Sequence, residues 1–243
     1  MPWGGGQPDA CQLTAAIENC KGVRELARIL HEQKRALKHV HVSAAWVHLA
    51  GNGTVWGEGD VREAVVALQD RTWGVLDRAD GRGVANVMHS MAKLKQMGVR
   101  VDQKLRLAMQ KRAIAKATEL TPQAVSNLLW ALATMGVRAD RALMEAIRNQ
   151  ATATAEEFKP QNVTNVLWAL ATMGEVADLE LLDAMKRRAT ATAADFNPHE
   201  VAIVLWALFK MGKRADRGLL EALTGRAPAT VWECTPQGVV NML

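Results

Sequence analysis

The chain has 243 residues, 49% of them hydrophobic, a formal charge of +5 and a pI near 9.3. That apolar content excludes a wholly disordered chain, and the sequence has no run of 18 apolar residues to form an ordinary membrane-spanning helix. Three scattered cysteines (Cys11, Cys20, Cys234) exclude a disulfide framework and favour a reducing compartment, while sparse strand formers beside abundant Ala, Leu and Met favour helix.

Residues 1–12 read as a disordered lead, with neither an apolar signal core nor an Arg- and Ser-rich presequence. Residues 13–80 form an N-terminal helical region. Within it, 13–50 holds two or three helices and 51–59 (GNGTVWGEG) is a flexible Gly-rich loop. Residues 81–120 are a degenerate, basic repeat whose first helix carries about three residues inserted near Lys93–Lys95. Repeats follow at 121–158, 159–196 and 197–234, and 235–243 starts another that is truncated after Gln237 and Asn241.

The period is the strongest signal in the chain. Pro122, Pro160, Pro198 and Pro236 lie 38 residues apart, as do Trp130, Trp168 and Trp206, and Gly136, Gly174 and Gly212. Residues 121–158 and 159–196 are identical at 22 of 38 positions. Each unit reads as two helices. Thr121 is the expected N-cap of the first, Pro122 its first residue and Gly136 its left-handed stop; the second runs from about Asp140. One such pair cannot bury its apolar faces alone, and stacked pairs can. The expected fold is therefore all-α, a right-handed α-solenoid of stacked helix pairs.

On a helical wheel, Val125, Leu128, Leu129 and Leu132 share the packing face. Gln123, Asn127, Trp130 and Thr134 fall opposite as one stripe. Its counterparts are Gln161, Asn165, Trp168 and Thr172, then His199, Ile203, Trp206 and Lys210, and, in the degenerate unit, Arg82, Asn86, His89 and Lys93. Stacking should set these stripes side by side. Carboxamides of Asn and Gln match the edges of unstacked bases, one base per helical repeat. The competing structural role is a bridge between neighbouring helices, which suits the unchanging Asn better than a code does. The recurring Trp residues fit a wedge between units better than a stacking platform for bases.

The words PQAVSNLLWALATMG, PQNVTNVLWALATMG and PHEVAIVLWALFKMG resemble the octotricopeptide repeat. The lead LTAAIENCKGVRELARIL is similar to that of FAST-kinase-like, RAP-domain-containing and RNA-editing substrate-binding-complex-like helical proteins. The resemblance covers about residues 13–243. It implies an RNA-binding adaptor of mitochondrion or chloroplast, acting in transcript stability, processing, editing or translation. Its implied partners are single-stranded RNA and other proteins of an organellar ribonucleoprotein. Base-facing positions implied by the resemblance are Gln123, Ala124 and Asn127, then Gln161, Asn162 and Asn165, then His199, Glu200 and Ile203. Ile203 departs from the Asn of its neighbours.

Charge is uneven. Residues 1–120 hold 18 Lys+Arg and 12 Asp+Glu, whereas 121–243 hold 12 and 13. Lys93, Lys95, Arg100, Lys104, Arg106, Lys111, Arg112 and Lys116 stand against Asp102 alone within 93–116, and would hold phosphates if several share a face. Lys186, Arg187 and Arg188 form a smaller patch that suits a helix C-terminus. Metal-ligand spacings and nucleotide-binding or hydrolase motifs are missing, so neither a cofactor nor catalysis is expected. The near-neutral charge of 121–243 favours an alternative, a protein-binding scaffold subunit of an organellar ribonucleoprotein or ribosome.

Overall fold

A computed structural model describes residues 9–53, 55, 57–174, 179–213 and 217–225. Among these residues every regular element is a helix. The chain divides into two compact units, Met1–Glu119 and Leu120–Leu243.

The first unit contains α1 (Ala10–Glu18), α2 (Val23–Glu32), α3 (His39–Asn52), α4 (Glu58–Val75), α5 (Gly81–Gln96) and α6 (Gln103–Ala115). They form three pairs. The first members pack in series, α1 on α3 and α3 on α5, and the second members α2 and α4 also pack together. Trp46 locks one pair internally: its buried indole N–H donates to Thr72 Oγ1 at 2.8 Å, and that hydroxyl donates to Leu68 O at 2.7 Å. By its alignment with the later repeats, Trp46 stands where Leu129 stands, on the core side. Helix α5 spans 16 residues where its later counterpart spans 13, so the expected insertion is absorbed as added helix.

Two expectations for this region need correction. Residues 10–12 of the expected disordered lead are helical. Asp9 and Gln12 close a reciprocal capping box, Gln12 N–H to Asp9 Oδ1 at 2.8 Å and Asp9 N–H to Gln12 Oε1 at 3.0 Å. The Gly-rich stretch 51–59 is not all loop. Helix α3 runs on through Gly51 to Asn52, whose side chain donates to His48 O at 2.9 Å, and α4 begins at Glu58.

The second unit contains α7 (Pro122–Thr134), α8 (Arg141–Ala153), α9 (Pro160–Met173), α10 (Leu179–Ala191), α11 (Pro198–Lys210) and α12 (Arg217–Thr224). Local chemistry sets the boundaries. Thr121 Oγ1 accepts from Ala124 N–H, Pro122 opens α7, and Asp140 caps α8 through Leu143 N–H at 2.8 Å. Gly98, Gly136, Gly174 and Gly212 adopt φ between +63° and +78° after α5, α7, α9 and α11, where an L side chain would be strained. α9 packs between α7 and α11, and α10 between α8 and α12, which is the stacking of an α-solenoid. The core along the first helices is Val125, Leu128, Leu129 and Leu132 with Val163, Val166, Leu167 and Leu170, all fully buried. The truncated repeat, with Gln237 and Asn241, lies outside the described residues.

A second-helix side chain ties down the segment leading into its own pair in four successive pairs. Arg71 donates to Lys34 O at 3.1 Å, Arg112 to Ala79 O at 2.8 Å, Gln150 to Leu120 O at 2.8 Å and Arg188 to Phe158 O at 2.8 Å. These carbonyls sit in non-helical linkers, where no ladder supplies a donor.

Candidate nucleic-acid interface

In the second unit the stripes come together. Trp130 and Trp168 stack with ring centroids 6.3 Å apart and planes inclined by 28°, joining α7 to α9 along this face. Both rings are half-buried, so each covers its neighbour and leaves an edge in solvent. Gln123, Gln161 and His199 are exposed, and Asn127 and Asn165 half-buried. Ile203 is buried. Lys210 Nζ lies 5.3 Å from the centroid of the half-buried Trp206 ring.

Asn162 and Glu200 have work inside the protein. Asn162 Oδ1 accepts from Lys159 N–H at 3.2 Å, and Asn162 Nδ2 donates to Ser126 Oγ on α7 at 3.2 Å. Glu200 closes a capping box with Asn197, 3.0 Å from Glu200 Oε2 to Asn197 N and 2.9 Å from Glu200 N–H to Asn197 Oδ1. With Glu200 turned to its cap, Thr164 Oγ1, the counterpart of Ser126, is buried without a hydrogen-bond partner among the described residues.

The basic window does not form one patch. Arg112 is committed to the Ala79 carbonyl, and Lys116 pairs with Glu119 at 2.6 Å. Arg106 turns toward the core side of α6. Burial lowers its pKa, and its Nη1 lacks a partner among the described residues. Lys93 is half-buried on α5 and Lys95 exposed at the end of that helix. Lys104 and Lys111, seven residues and two turns apart, share the open face of α6 with the exposed Leu107, and Arg100 is exposed ahead of that helix. Arg188, in the smaller patch, is likewise tied to Phe158 O and to Glu156.

The first unit carries a groove that sequence reasoning missed. Its volume is about 470 Å³, and it opens between α1, α3 and α5. Aligning Val42–Ala50 with Val125–Ala133 puts Val40, Ala44 and Val47 at the positions of Gln123, Asn127 and Trp130, so the groove lies on the stripe face of its own unit. Val40 and Val47 are 46% and 47% exposed, and Arg82 and Asn86 of α5 line the same space. The signal was the loss of bulk in one register: Val47 in place of Trp, Ala44 in place of Asn and Gly83 in place of Asn162. Nearby His89 sits at the Trp position of α5, and burial, with a smaller contribution from Lys93, lowers its pKa.

Among the described residues, no group of three His, Cys, Asp or Glu side chains is placed to hold a metal, and no helix is long and apolar enough to cross a membrane. The helix pairs and their aligned polar faces define an α-helical repeat protein. Residues 83–243 match the family described as RNA-editing substrate-binding complex 6 protein. The chain belongs to that family. No curated protein matches its sequence. A designed armadillo repeat protein, solved in complex with the peptide (KR)4, is similar over 96% of this chain and 99% of its own, at 15% identity and a TM-score of 0.29.

Proposed function

We propose that the chain is a non-catalytic RNA-binding adaptor of an RNA-editing complex in the mitochondrion, holding single-stranded RNA along the stripe face of its repeats. The observation that carries this reading is the pair Gln123/Asn127 and Gln161/Asn165. Their carboxamides recur one helix pair apart and remain open or half-open to solvent beside stacked Trp rings. Family membership supplies the setting. Gln123, Gln161 and His199 are the base-facing candidates, with Asn127 and Asn165 beside them. Asn162 and Glu200 act by shaping the helix starts. Lys104, Lys111, Arg100 and Lys95 are the phosphate candidates.

The test is a titration of the purified chain with a pool of single-stranded RNA at two salt concentrations. Binding at micromolar or tighter, weakening steeply with salt, supports the adaptor, since each neutralised phosphate of a single strand contributes about 0.7 to the slope of log K against log salt. No binding at low salt sinks it. The near-neutral charge of 121–243 favours, in that event, a scaffold that assembles mainly with protein.

A further inference from the structure

We propose that the groove between α1, α3 and α5 is a site for one unpaired adenine nucleotide, giving the first unit its own contact to the RNA; the inference rests on the adaptor reading above.

The groove exists because side chains that fill this register elsewhere are absent. Between α7 and α9, Asn162 spans the gap to Ser126. Between α3 and α5, the corresponding pair is Gly83 and Ser43. A Cβ built on Gly83 would lie 4.0 Å from Ser43 Cβ and 2.9 Å from an oxygen of Asp80, whose carboxylate already caps Gly83 N–H at 2.7 Å. Among the described residues no side-chain hydrogen bond joins Ser43 to α5, and Val47 and Ala44 withdraw the bulk that Trp130 and Asn127 supply on α7. The resulting 470 Å³ falls within the roughly 300–1,000 Å³ of small-molecule sites.

The lining has the chemistry of a base pocket. Val40 and Val47 offer exposed methyls to a flat ring face. Asn86, Arg82 and Glu18 line the space, and their side chains carry no hydrogen bond or ion pair to the described residues. A carboxamide matches adjacent N7 and N6 of adenine, accepting from one amino hydrogen and donating to N7. The second amino hydrogen suits a carboxylate such as Glu18. Guanine and uracil would set a carbonyl oxygen against that carboxylate, and cytosine lacks N7. Arg82, exposed on the α5 wall, is the partner for the 5′ phosphate.

The experiment uses the full chain with 13C-methyl-labelled valine and follows Val40 and Val47 by NMR during titration with AMP, UMP and inorganic phosphate. The expected result is saturable shifts at both valines with AMP, at least about 10-fold weaker binding of UMP, and no shift with phosphate. Arg82→Ala, at an exposed position, should weaken AMP at least 10-fold with the methyl spectrum otherwise unchanged, and Asn86→Ala should bring AMP to the level of UMP. Silent valines, equal responses to AMP and UMP, or a response to phosphate alone overturn the proposal. Should Asn86→Ala fail to fold, the AMP-to-UMP ratio on the unmodified chain and the Arg82→Ala result decide. RNA-pool binding with silent valines removes the groove and keeps the adaptor; an AMP-responsive groove without RNA-pool binding removes the adaptor.

Discussion

Asn162 reaches back one repeat, donating from Nδ2 to Ser126 Oγ at 3.2 Å, while its Oδ1 caps its own helix at Lys159 N–H. One carboxamide thus fixes both the start of α9 and its register against α7. The next repeat keeps only half of this device: Glu200 caps α11, and Thr164 Oγ1 is buried without a partner among the described residues.

Asn162→Ala should therefore lower stability by about 1–3 kcal/mol through the lost cap and bridge, with little change in RNA affinity. Glu200→Asn should act in the opposite direction. Its amide can keep the cap and donate to Thr164, a gain of about 0.5–1.5 kcal/mol. Chemical denaturation of both variants measures the pair. A fall in RNA affinity without a fall in stability for Asn162→Ala would return that residue to the RNA face.

Trp168→Ala should lower the melting temperature more than it lowers RNA affinity. The ring stacks on Trp130, an arrangement worth about 0.5–1.5 kcal/mol beyond the area it buries. Thermal melts beside RNA titrations give the ranking, and a larger loss of affinity than of stability would make the indoles part of the binding surface.

Reversing basic residues should separate two roles that the sequence presents as one. Lys104→Glu with Lys111→Glu should leave stability within about 0.5 kcal/mol and reduce the salt slope of single-stranded RNA binding by about 1.4. Arg112→Glu should destabilise by about 1.5–3 kcal/mol by freeing the Ala79 carbonyl. A salt slope unaffected by the double reversal would end the phosphate role of α6.

Stability should fall on mild acidification because of His41. This buried imidazole accepts Lys38 N–H at Nδ1 (3.0 Å) and faces Ala10 O through Nε2 (3.1 Å), tying α1 to the start of α3. Burial, first among the causes, lowers its pKa below the usual 6.5, so folding favours the neutral ring. That contribution is fully present above about 6.5 and is lost as pH falls through the lower folded value. His41→Gln should flatten the decline between pH 7 and 5 in denaturation curves; an unchanged profile would exclude His41 as its source.

Much of this was legible in the sequence for a physical reason: helix starts, stops and core faces are local or periodic properties. Pro122 with Thr121, Gly136 at φ +63° and the Val125–Leu132 face follow from steric and capping rules within a few residues. The first unit was harder to read, since α5 is three residues longer than α7, the earlier helices match the later repeats only weakly, and the Asp9–Gln12 box is a short signal.

The sequence by itself determined that this protein is a helical repeat with a stripe opposite the packing face of each Pro-started first helix, because period and composition alone dictate which faces must be buried. Only the tertiary structure decided which of those polar groups are spent. Arg112, Asn162 and Arg188 find partners on other elements, and Gly83 beside Ala44 opens a groove, because such hydrogen bonds and cavities depend on what lies opposite in space rather than on what stands next in the chain.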